Sequence, residues 1–249
     1  MRKVGFGILV CITMAGRPAV ALAQFPPEKV KNLKVLPQDI EIRALIDTMA
    51  GFTRALGVRC TYCHVGTEAQ PLSAYDFVTD EKPEKVKARE MLRMLAAINA
   101  DYLTKVPSRR EPRINVGCAT CHHGIAQPRP LQQVLLMAYG AGGADSVEAA
   151  YRALRQRYYG SAAYDFGEVP LVDVANTVRV QNHLADALRL YQLNTQVTPG
   201  STFAFRSLAG AQLAAGDTAG AVASFQQALA INPADQQSKA AVDRLGKKP

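Results

Sequence analysis

Apolar residues recur at helical spacing in two stretches of the first half of the chain. After Pro37 they fall at offsets of 0, 3, 4, 7 and 14, on one face of a helix. These residues are Ile42, Leu45, Ile46, Met49 and Leu56. Gly57 follows as the expected end of this helix. A second helix is predicted to open at Pro83, with an apolar face at Met91, Leu95, Ile98 and Tyr102.

The last part of the chain repeats itself with a period of 34 residues. Ala187 recurs as Ala221, Tyr191 as Phe225 and Pro199 as Pro233. These are the second-helix and closing-proline positions of tetratricopeptide repeats. Two units are fewer than the three that normally bury a continuous core, so residues 235–245 are expected to cap them. A plain helical bundle is the alternative.

The N-terminus has the pattern of a secretory signal peptide. Arg2 and Lys3 precede the apolar run of residues 4–15, and a small-x-small cleavage site ends at Ala23. Cys11 lies in this leader, so cleavage would leave four of the five cysteines. The formal charge of +8 loses three positive charges with the leader and becomes about +5. The basic pI therefore gives no reason to expect a nucleic-acid partner.

Together these patterns predict an all-α chain with a short helical-repeat (TPR-like) domain at its C-terminal end. The signal peptide takes residues 1–23, and a first helical domain takes residues 24–140. A connecting helix, predicted from Ser146 to Tyr159, lies with an aromatic-rich joint in residues 141–169. The repeats and their cap helix take residues 170–249.

The chemistry of the chain is concentrated in two copies of Cys-x-x-Cys-His, the attachment sequence of a c-type haem. The first copy runs from Cys60 through Cys63 to His64, and the second is Cys118, Cys121 and His122. Two thiols one helical turn apart can form thioethers with the two vinyl groups on one porphyrin edge. The next residue then offers its imidazole to the iron. The sequence predicts two covalently bound haems and a multihaem cytochrome c domain at residues 24–140.

Three other interpretations fit a Cys-x-x-Cys pair. The four cysteines could hold a structural zinc ion, but zinc gives no reason for a histidine directly after each pair. A thioredoxin-like dithiol follows a strand, and no strand pattern precedes either copy. Two structural disulfides would suit an exported protein, although a two-residue gap is a strained loop for such a bond. None of the three explains both copies as well as haem does.

Methionines on the two predicted helices are candidates for the distal iron ligands. A thioether is one of the two usual distal donors of low-spin cytochromes. Met49 lies on the helix before the first copy, and Met91 and Met94 lie on the helix before the second. His123 adjoins a proximal histidine and cannot reach the opposite face of the same haem, and His183 lies far along the chain. Plain core packing remains the alternative role of these methionines.

Residues 32–130 resemble half of the tetrahaem cytochrome c subunit of bacterial photosynthetic reaction centres. The matching text is Leu45-Ile-Asp-Thr-Met49 before the first copy, then Ala88-Arg-Glu-Met-Leu-Arg-Met94 and Ala97-Ile-Asn99 before the second. In that family the methionine of the first helix and the first methionine of the second helix are distal ligands. The resemblance therefore implies Met49 and Met91 as axial ligands, and Met94 as a packing neighbour or alternative ligand.

The chain departs from that family in three respects. It has two attachment sequences where the family has four. Lys105 stands where the family's second helix has a histidine that reaches another haem, and His123 stands where the family has arginine. The lipid-anchoring cysteine of many members has no good counterpart. Loss of that histidine agrees with loss of the haem it served.

The sequence thus predicts a periplasmic dihaem electron carrier and no catalytic residues. The resemblance implies that it re-reduces an oxidised electron donor and that its partners are redox proteins such as a membrane-bound reaction-centre or other electron-transfer complex. One alternative is a dihaem peroxidase-like oxidoreductase, which needs an iron without a firm distal ligand. Another is a docking subunit, in which the TPR-like region binds partner proteins on a concave surface. No nucleic-acid partner is expected.

Overall fold

The computed structural model describes residues 25–246, and the predicted signal peptide lies outside them. Across this part of the chain all regular elements are helical, and the one β feature is an isolated bridge between Val65 and Asp76. The all-α prediction is confirmed. The α-helices are α1 Ile42–Leu56, α2 Pro83–Ala97, α3 Cys118–His122, α4 Leu131–Tyr158, α5 Glu168–Val180, α6 Leu184–Val197, α7 Thr202–Ala214, α8 Thr218–Ile231 and α9 Gln236–Leu245.

The chain divides into two compact units. The first contains the described residues up to Met49 together with Arg59–Ala96, and the second contains Ala50–Val58 together with the chain from Ala97 onwards. Helices α1 and α2 therefore each contribute residues to both units. The domain boundaries drawn from the sequence at residues 140 and 169 stay predictions.

The first unit is held together by polar contacts, since none of its described hydrophobic side chains is buried. The Asp80 carboxylate accepts hydrogen bonds from Lys34 Nζ at 2.7 Å and Asn32 Nδ2 at 2.8 Å, and pairs with Arg89 at 2.9 Å. Lys85 Nζ lies 3.3 Å from the same carboxylate. Arg89 and the other donors hold the pKa of Asp80 well below its usual range. One carboxylate thus connects α2 to the segment before α1.

This network gives the first unit an expected acid sensitivity. A carboxyl group with a lowered folded pKa stabilises the fold above its unfolded pKa of about 3.9, and that stability is lost as the pH falls through the folded pKa. We expect Asp80→Asn to lower the thermal midpoint of the first unit at pH 7 and to flatten its dependence on pH below about 4. Thermal unfolding followed by circular dichroism at several pH values tests this. If the thermal midpoint of Asp80→Asn fell below about pH 4 as steeply as that of the wild type, the expectation would be contradicted.

The second unit has the apolar core that the first lacks. Leu131, Leu135 and Tyr151 of α4 are buried in one cluster with residues of α5 and α6, among them Leu171 and Leu190. The connecting helix predicted from Ser146 begins earlier, at Leu131, and its backbone breaks at residues 142–143. Two successive glycines there remove the side chains that would keep the helix regular.

The helices of the C-terminal part repeat at a fixed interval. Helices α5, α7 and α9 begin at residues 168, 202 and 236, and α6 and α8 begin at residues 184 and 218, so equivalent helices start 34 residues apart. The predicted period is confirmed, and Gln236–Leu245 forms a further helix, α9, whose capping role stays a prediction. Ser201, Asp217 and Asp235 each accept a backbone N–H from the first turn of the following helix. These caps fix where α7, α8 and α9 begin.

The second predicted helix ends differently from the expectation. Its α-helical part stops at Ala97, and residues 98–102 form a π-helical turn followed by a 3₁₀ turn at Leu103–Lys105. Asn99 explains the change, because its side chain donates to the Val116 carbonyl at 2.9 Å and accepts from the Val116 N–H at 2.8 Å. This pair of hydrogen bonds ties the turn to the segment that leads into the second Cys-x-x-Cys-His sequence.

Candidate haem-binding sites

The first Cys-x-x-Cys-His sequence forms a tight helical turn. Residues Cys60–Tyr62 are 3₁₀-helical, and the N–H groups of Cys63 and His64 both donate to the Cys60 carbonyl, at 3.2 and 3.0 Å. Cys60 and Cys63 are free thiols and half-buried. Burial raises the pKa of Cys63, so this thiol stays protonated until it reacts. The turn places two thiols and an imidazole within five consecutive residues.

The imidazole of His64 lies in a confined, positively charged surrounding. Its Nδ1 atom is buried and has no hydrogen-bond partner among the described residues. Its ring meets the Phe77 ring edge-on, with centroids 4.9 Å apart. Burial, with Lys85 as the next contribution, lowers the pKa of His64 to about 4. The side chain is therefore neutral at pH 7, which is the form that binds a metal.

The second sequence is also helical and has a different hydrogen-bond pattern. Helix α3 covers Cys118 to His122, with Thr120 Oγ1 accepting from the Gly117 N–H at 3.0 Å. The Nδ1 atom of His122 lies 2.9 Å from the Ile125 carbonyl. A proton on Nδ1 satisfies that contact and leaves the Nε2 lone pair free for a metal ion. This contact suits an imidazole that binds a metal through Nε2.

The chain leaves α3 through a close backbone approach to the end of α1. The Gly124 N–H donates to the Ala55 carbonyl at 2.9 Å, and Gly57 has a φ of +65°. A Cβ atom on Gly57 would lie 2.0 Å from the Gly124 carbonyl oxygen. Gly57 was predicted only as a helix stop. The structure adds that it must lack a side chain for the second sequence to pack here.

Gly57→Ala is therefore expected to destabilise the second unit. The left-handed backbone alone costs about 1–2 kcal/mol for a residue with a Cβ, and the contact with Gly124 adds to that. Gly210→Ala is the matched control, because Gly210 is helical and has nothing within 4 Å of its added Cβ. That variant is expected to gain roughly 0.5–1 kcal/mol. Denaturant unfolding measures both, and equal effects of the two substitutions would refute this account.

The methionines named from the sequence lie on the two helices as expected. Met49 is half-buried on α1, in the same unit as the first attachment sequence. Met91 and Met94 are 45% and 48% exposed on α2 and fall in the first unit, whereas Cys118–His122 falls in the second. Met91 and the second attachment sequence belong to different units, and the pairing of Met91 with the second haem stays a prediction.

The residues present fit two c-type haems. Each site has two free thiols and a histidine in one helical turn, and His122 has the tautomer-fixing contact of a ligand. The first unit also exposes apolar side chains that a large apolar group would cover, including Val86, Met91 and Met94. No group of three or more His, Cys, Asp and Glu side chains within residues 25–246 is arranged to hold a bare metal ion. The described cysteines are unpaired.

Some residues around the first site had no signal in the sequence. Lys85 lies among many charged residues of the predicted helix start, and Phe77 lies in a segment for which the sequence predicts no helix. Phe77 packs on His64 and Lys85 bonds the Phe77 carbonyl, and both contacts depend on the fold of residues 65–82. Within residues 25–246 no helix is both long enough and apolar enough to cross a membrane.

Comparison with solved structures finds helical proteins of low similarity. The crystal structure of PcrH from Pseudomonas aeruginosa is 20% identical, covers 47% of this chain and 83% of its own, and has a TM-score of 0.29. PcrH in complex with the chaperone binding region of PopB gives the same identity and TM-score and covers 89% of that chain. A TM-score this low supports no conclusion about the present chain.

Comparison with curated proteins and families gives a clearer result. Cytochrome c-554 of Chloroflexus aurantiacus is 38% identical over 69 residues, which is 28% of this chain and 14% of that protein. The chain thus spans only a small part of its relative's length. The family described as photosynthetic reaction centre cytochrome C subunit matches residues 22–140, which contain both attachment sequences and all three candidate methionines. Residues 22–140 of the chain are thus similar to the photosynthetic reaction centre cytochrome c subunit family.

Proposed function

We propose that the chain is a periplasmic dihaem c-type cytochrome that carries out one-electron transfer. The observation that supports this most directly is the repeated helical Cys-x-x-Cys-His turn within a family of c-type cytochromes. Cys60 and Cys63 would hold the first haem, and Cys118 and Cys121 the second. Family membership implies covalent c-type haem, and the number of two comes from the sequence.

Four side chains of the chain would complete the coordination of the two irons. His64 and His122 would be the proximal ligands, Met49 would be the distal ligand of the first haem and Met91 that of the second. When bound, haem supplies an iron that gains and loses one electron, at a potential that methionine ligation raises. The chain's own part is to hold these ligands in place and to keep water from the iron. A saturated iron favours a carrier over an enzyme.

The protein positions its proximal ligands by two different means. At the second site the His122 Nδ1–H donates to the Ile125 carbonyl, which fixes the tautomer and the ring plane. At the first site burial keeps His64 neutral, and the Phe77 ring packs against it.

The partners follow from the family and from the repeats. A member of the reaction-centre cytochrome family is expected to pass electrons to a membrane-bound partner and so to re-reduce an oxidised donor. The helical repeats of residues 168–245 give a second surface on which a partner protein could dock, because such repeats present extended concave faces. Export before haem attachment accounts for the predicted signal peptide.

Intact mass spectrometry tests the proposal directly. The mature polypeptide from Gln24 to Pro249, produced in a host that attaches c-type haem, is expected to be heavier by two haem masses after acid denaturation. The same spectrum reports the cleavage site after Ala23. A single added haem would reduce the proposal to a monohaem protein, and an unmodified mass or bound zinc would refute it.

A further inference from the structure

We propose that Lys85 is a positioning residue for the first haem. It clamps the backbone of residues 77–79 so that Phe77 holds the imidazole of His64 in one orientation. At the second site, the hydrogen bond that His122 Nδ1 donates to the Ile125 carbonyl orients the imidazole. This inference rests on the proposed dihaem function, and its test is arranged so that the two can fail separately.

The two proximal histidines differ in what orients them. His122 Nδ1 lies 2.9 Å from a backbone carbonyl, that of Ile125. His64 Nδ1 is buried and has no hydrogen-bond partner among the described residues. An imidazole without that bond can rotate about its Cβ–Cγ axis unless packing prevents it. At the first site, packing must therefore restrict the rotation of the imidazole, which the hydrogen bond restricts at the second site.

Phe77 supplies that packing. Its ring lies edge-on to the His64 ring at a centroid distance of 4.9 Å and an interplanar angle of 65°. The Phe77 ring also contacts the rings of Tyr75 and Phe25, at centroid distances of 5.8 and 5.5 Å. Aromatic pairs at these distances have preferred geometries and resist reorientation. The position of Phe77 consequently sets the position of the imidazole.

Lys85 fixes the backbone that carries Phe77. Its ammonium group donates to the carbonyls of Phe77, Val78 and Thr79, at 2.9, 3.0 and 2.7 Å. All three hydrogens of the ammonium can thus be used on consecutive residues of one turn. The side chain is 12% exposed, so these bonds form largely away from water. Lys85 thus ties three consecutive carbonyls of a loop without regular secondary structure to α2.

The positive charge of Lys85 is balanced only in part, because its carboxylate partner Asp80 is shared with other cations. Asp80 lies 3.3 Å from the ammonium, but the same carboxylate also pairs with Arg89 and Lys34. The charged groups around His64 are Lys82, Lys85 and Arg89 on the positive side and Asp76 on the negative side. The imidazole of the first site therefore lies in a net positive field. His122 has instead a carbonyl dipole directed at its Nδ1.

The positive charges around His64 and the missing hydrogen bond at its Nδ1 atom are both expected to raise the reduction potential of the first haem. A nearby positive charge stabilises the reduced iron, which has one positive charge fewer. A proximal imidazole without a hydrogen bond at Nδ1 donates less electron density, which also favours the reduced form. The first haem is thus expected to have the higher potential of the two, and Lys85 to contribute to it through both position and charge.

The test compares Lys85→Met with Lys87→Met in the holoprotein. Lys87 lies on the same helix, is 70% exposed and pairs with Glu84, so its substitution removes an equal charge without touching the clamp. In Lys85→Met we expect the reduction equilibrium constant of one haem to fall about tenfold, which is about 59 mV for one electron. The other haem should be unchanged, and Lys87→Met should leave both near their wild-type values. A Lys85→Met protein with two unaltered potentials would overturn the proposal.

A second measurement separates position from charge. The low-spin ferric EPR signal of a haem depends on the plane of its axial imidazole, so a reoriented His64 shifts one of the two signals. Phe77→Leu keeps Lys85 and its charge but removes the ring, and we expect it to shift that same signal. Lys85→Arg keeps the charge and should retain most of the potential. If only charge mattered, Phe77→Leu would leave the EPR spectrum unchanged, which would contradict the positioning role.

The haem count of each variant makes the two hypotheses independent. Intact mass is measured on every preparation before the potentials are titrated. Two haems with an unmoved potential in Lys85→Met refute the positioning role and leave the proposed function standing. A wild-type protein with no covalent haem refutes the proposed function itself.

Discussion

Replacing Cys60 and Cys63 with alanine is expected to remove one haem and with it the hydrogen-exchange protection of residues 42–49. None of the described hydrophobic side chains in the first unit is buried, and Met49, the distal ligand proposed for this haem, lies on α1. A haem bound there would supply the apolar surface that a small unit needs in order to stay folded. The expected loss of protection is on the order of a hundredfold or more.

The helical repeats of the same molecule are the internal control for this experiment. Helices α5 to α8 have a buried core that includes Leu171, Leu190 and Ala204, and this core contains no haem attachment residue. Their amides should remain protected in the double variant. Mass spectrometry resolves the two regions peptide by peptide. Undiminished protection of residues 42–49 in a protein with one haem would show that the polar network around Asp80 is sufficient to fold the first unit.

Met49→Ala is expected to convert the first haem from a closed site into one that binds carbon monoxide in the ferrous state. Met49 is half-buried on α1 and belongs to the same unit as His64. Removal of the thioether leaves the iron with no distal protein ligand. Met49→His should restore six-coordination at a lower potential, because bis-histidine ligation lowers the potential relative to methionine-histidine ligation. Optical titration with carbon monoxide distinguishes the three proteins.

Met137→Ala is the matched control, since Met137 is 57% exposed on α4 and is no candidate ligand. Its carbon monoxide binding should equal that of the wild type. The same assay separates Met91 from Met94 at the second haem, because only the ligand's replacement opens the iron. A wild-type protein that binds carbon monoxide readily at either haem would already have an open distal position. The peroxidase-like alternative would then replace the electron carrier.

The sequence by itself determined the chemistry and the kind of elements. The spacing of the two Cys-x-x-Cys-His copies alone predicts c-type haem, because covalent attachment depends only on local geometry. The apolar periodicity located α1 and the start of α2, and the 34-residue period located the paired helices of the C-terminal part. These features are local or strictly repeated, so one chain is enough to read them.

Tertiary structure decided what depends on contacts between distant residues. Nothing local says that Gly57 must approach Gly124, that Asn99 ends α2 in a π turn by bonding Val116, or that Lys85 gathers three carbonyls beside His64. The same is true of the contrast between the histidines. Two identical five-residue patterns differ in their hydrogen bonds because the loop after His122 turns back to it, whereas the loop after His64 brings an aromatic ring instead. The sequence pattern predicts which histidine is the iron ligand, whereas the contacts around that histidine depend on the folded chain.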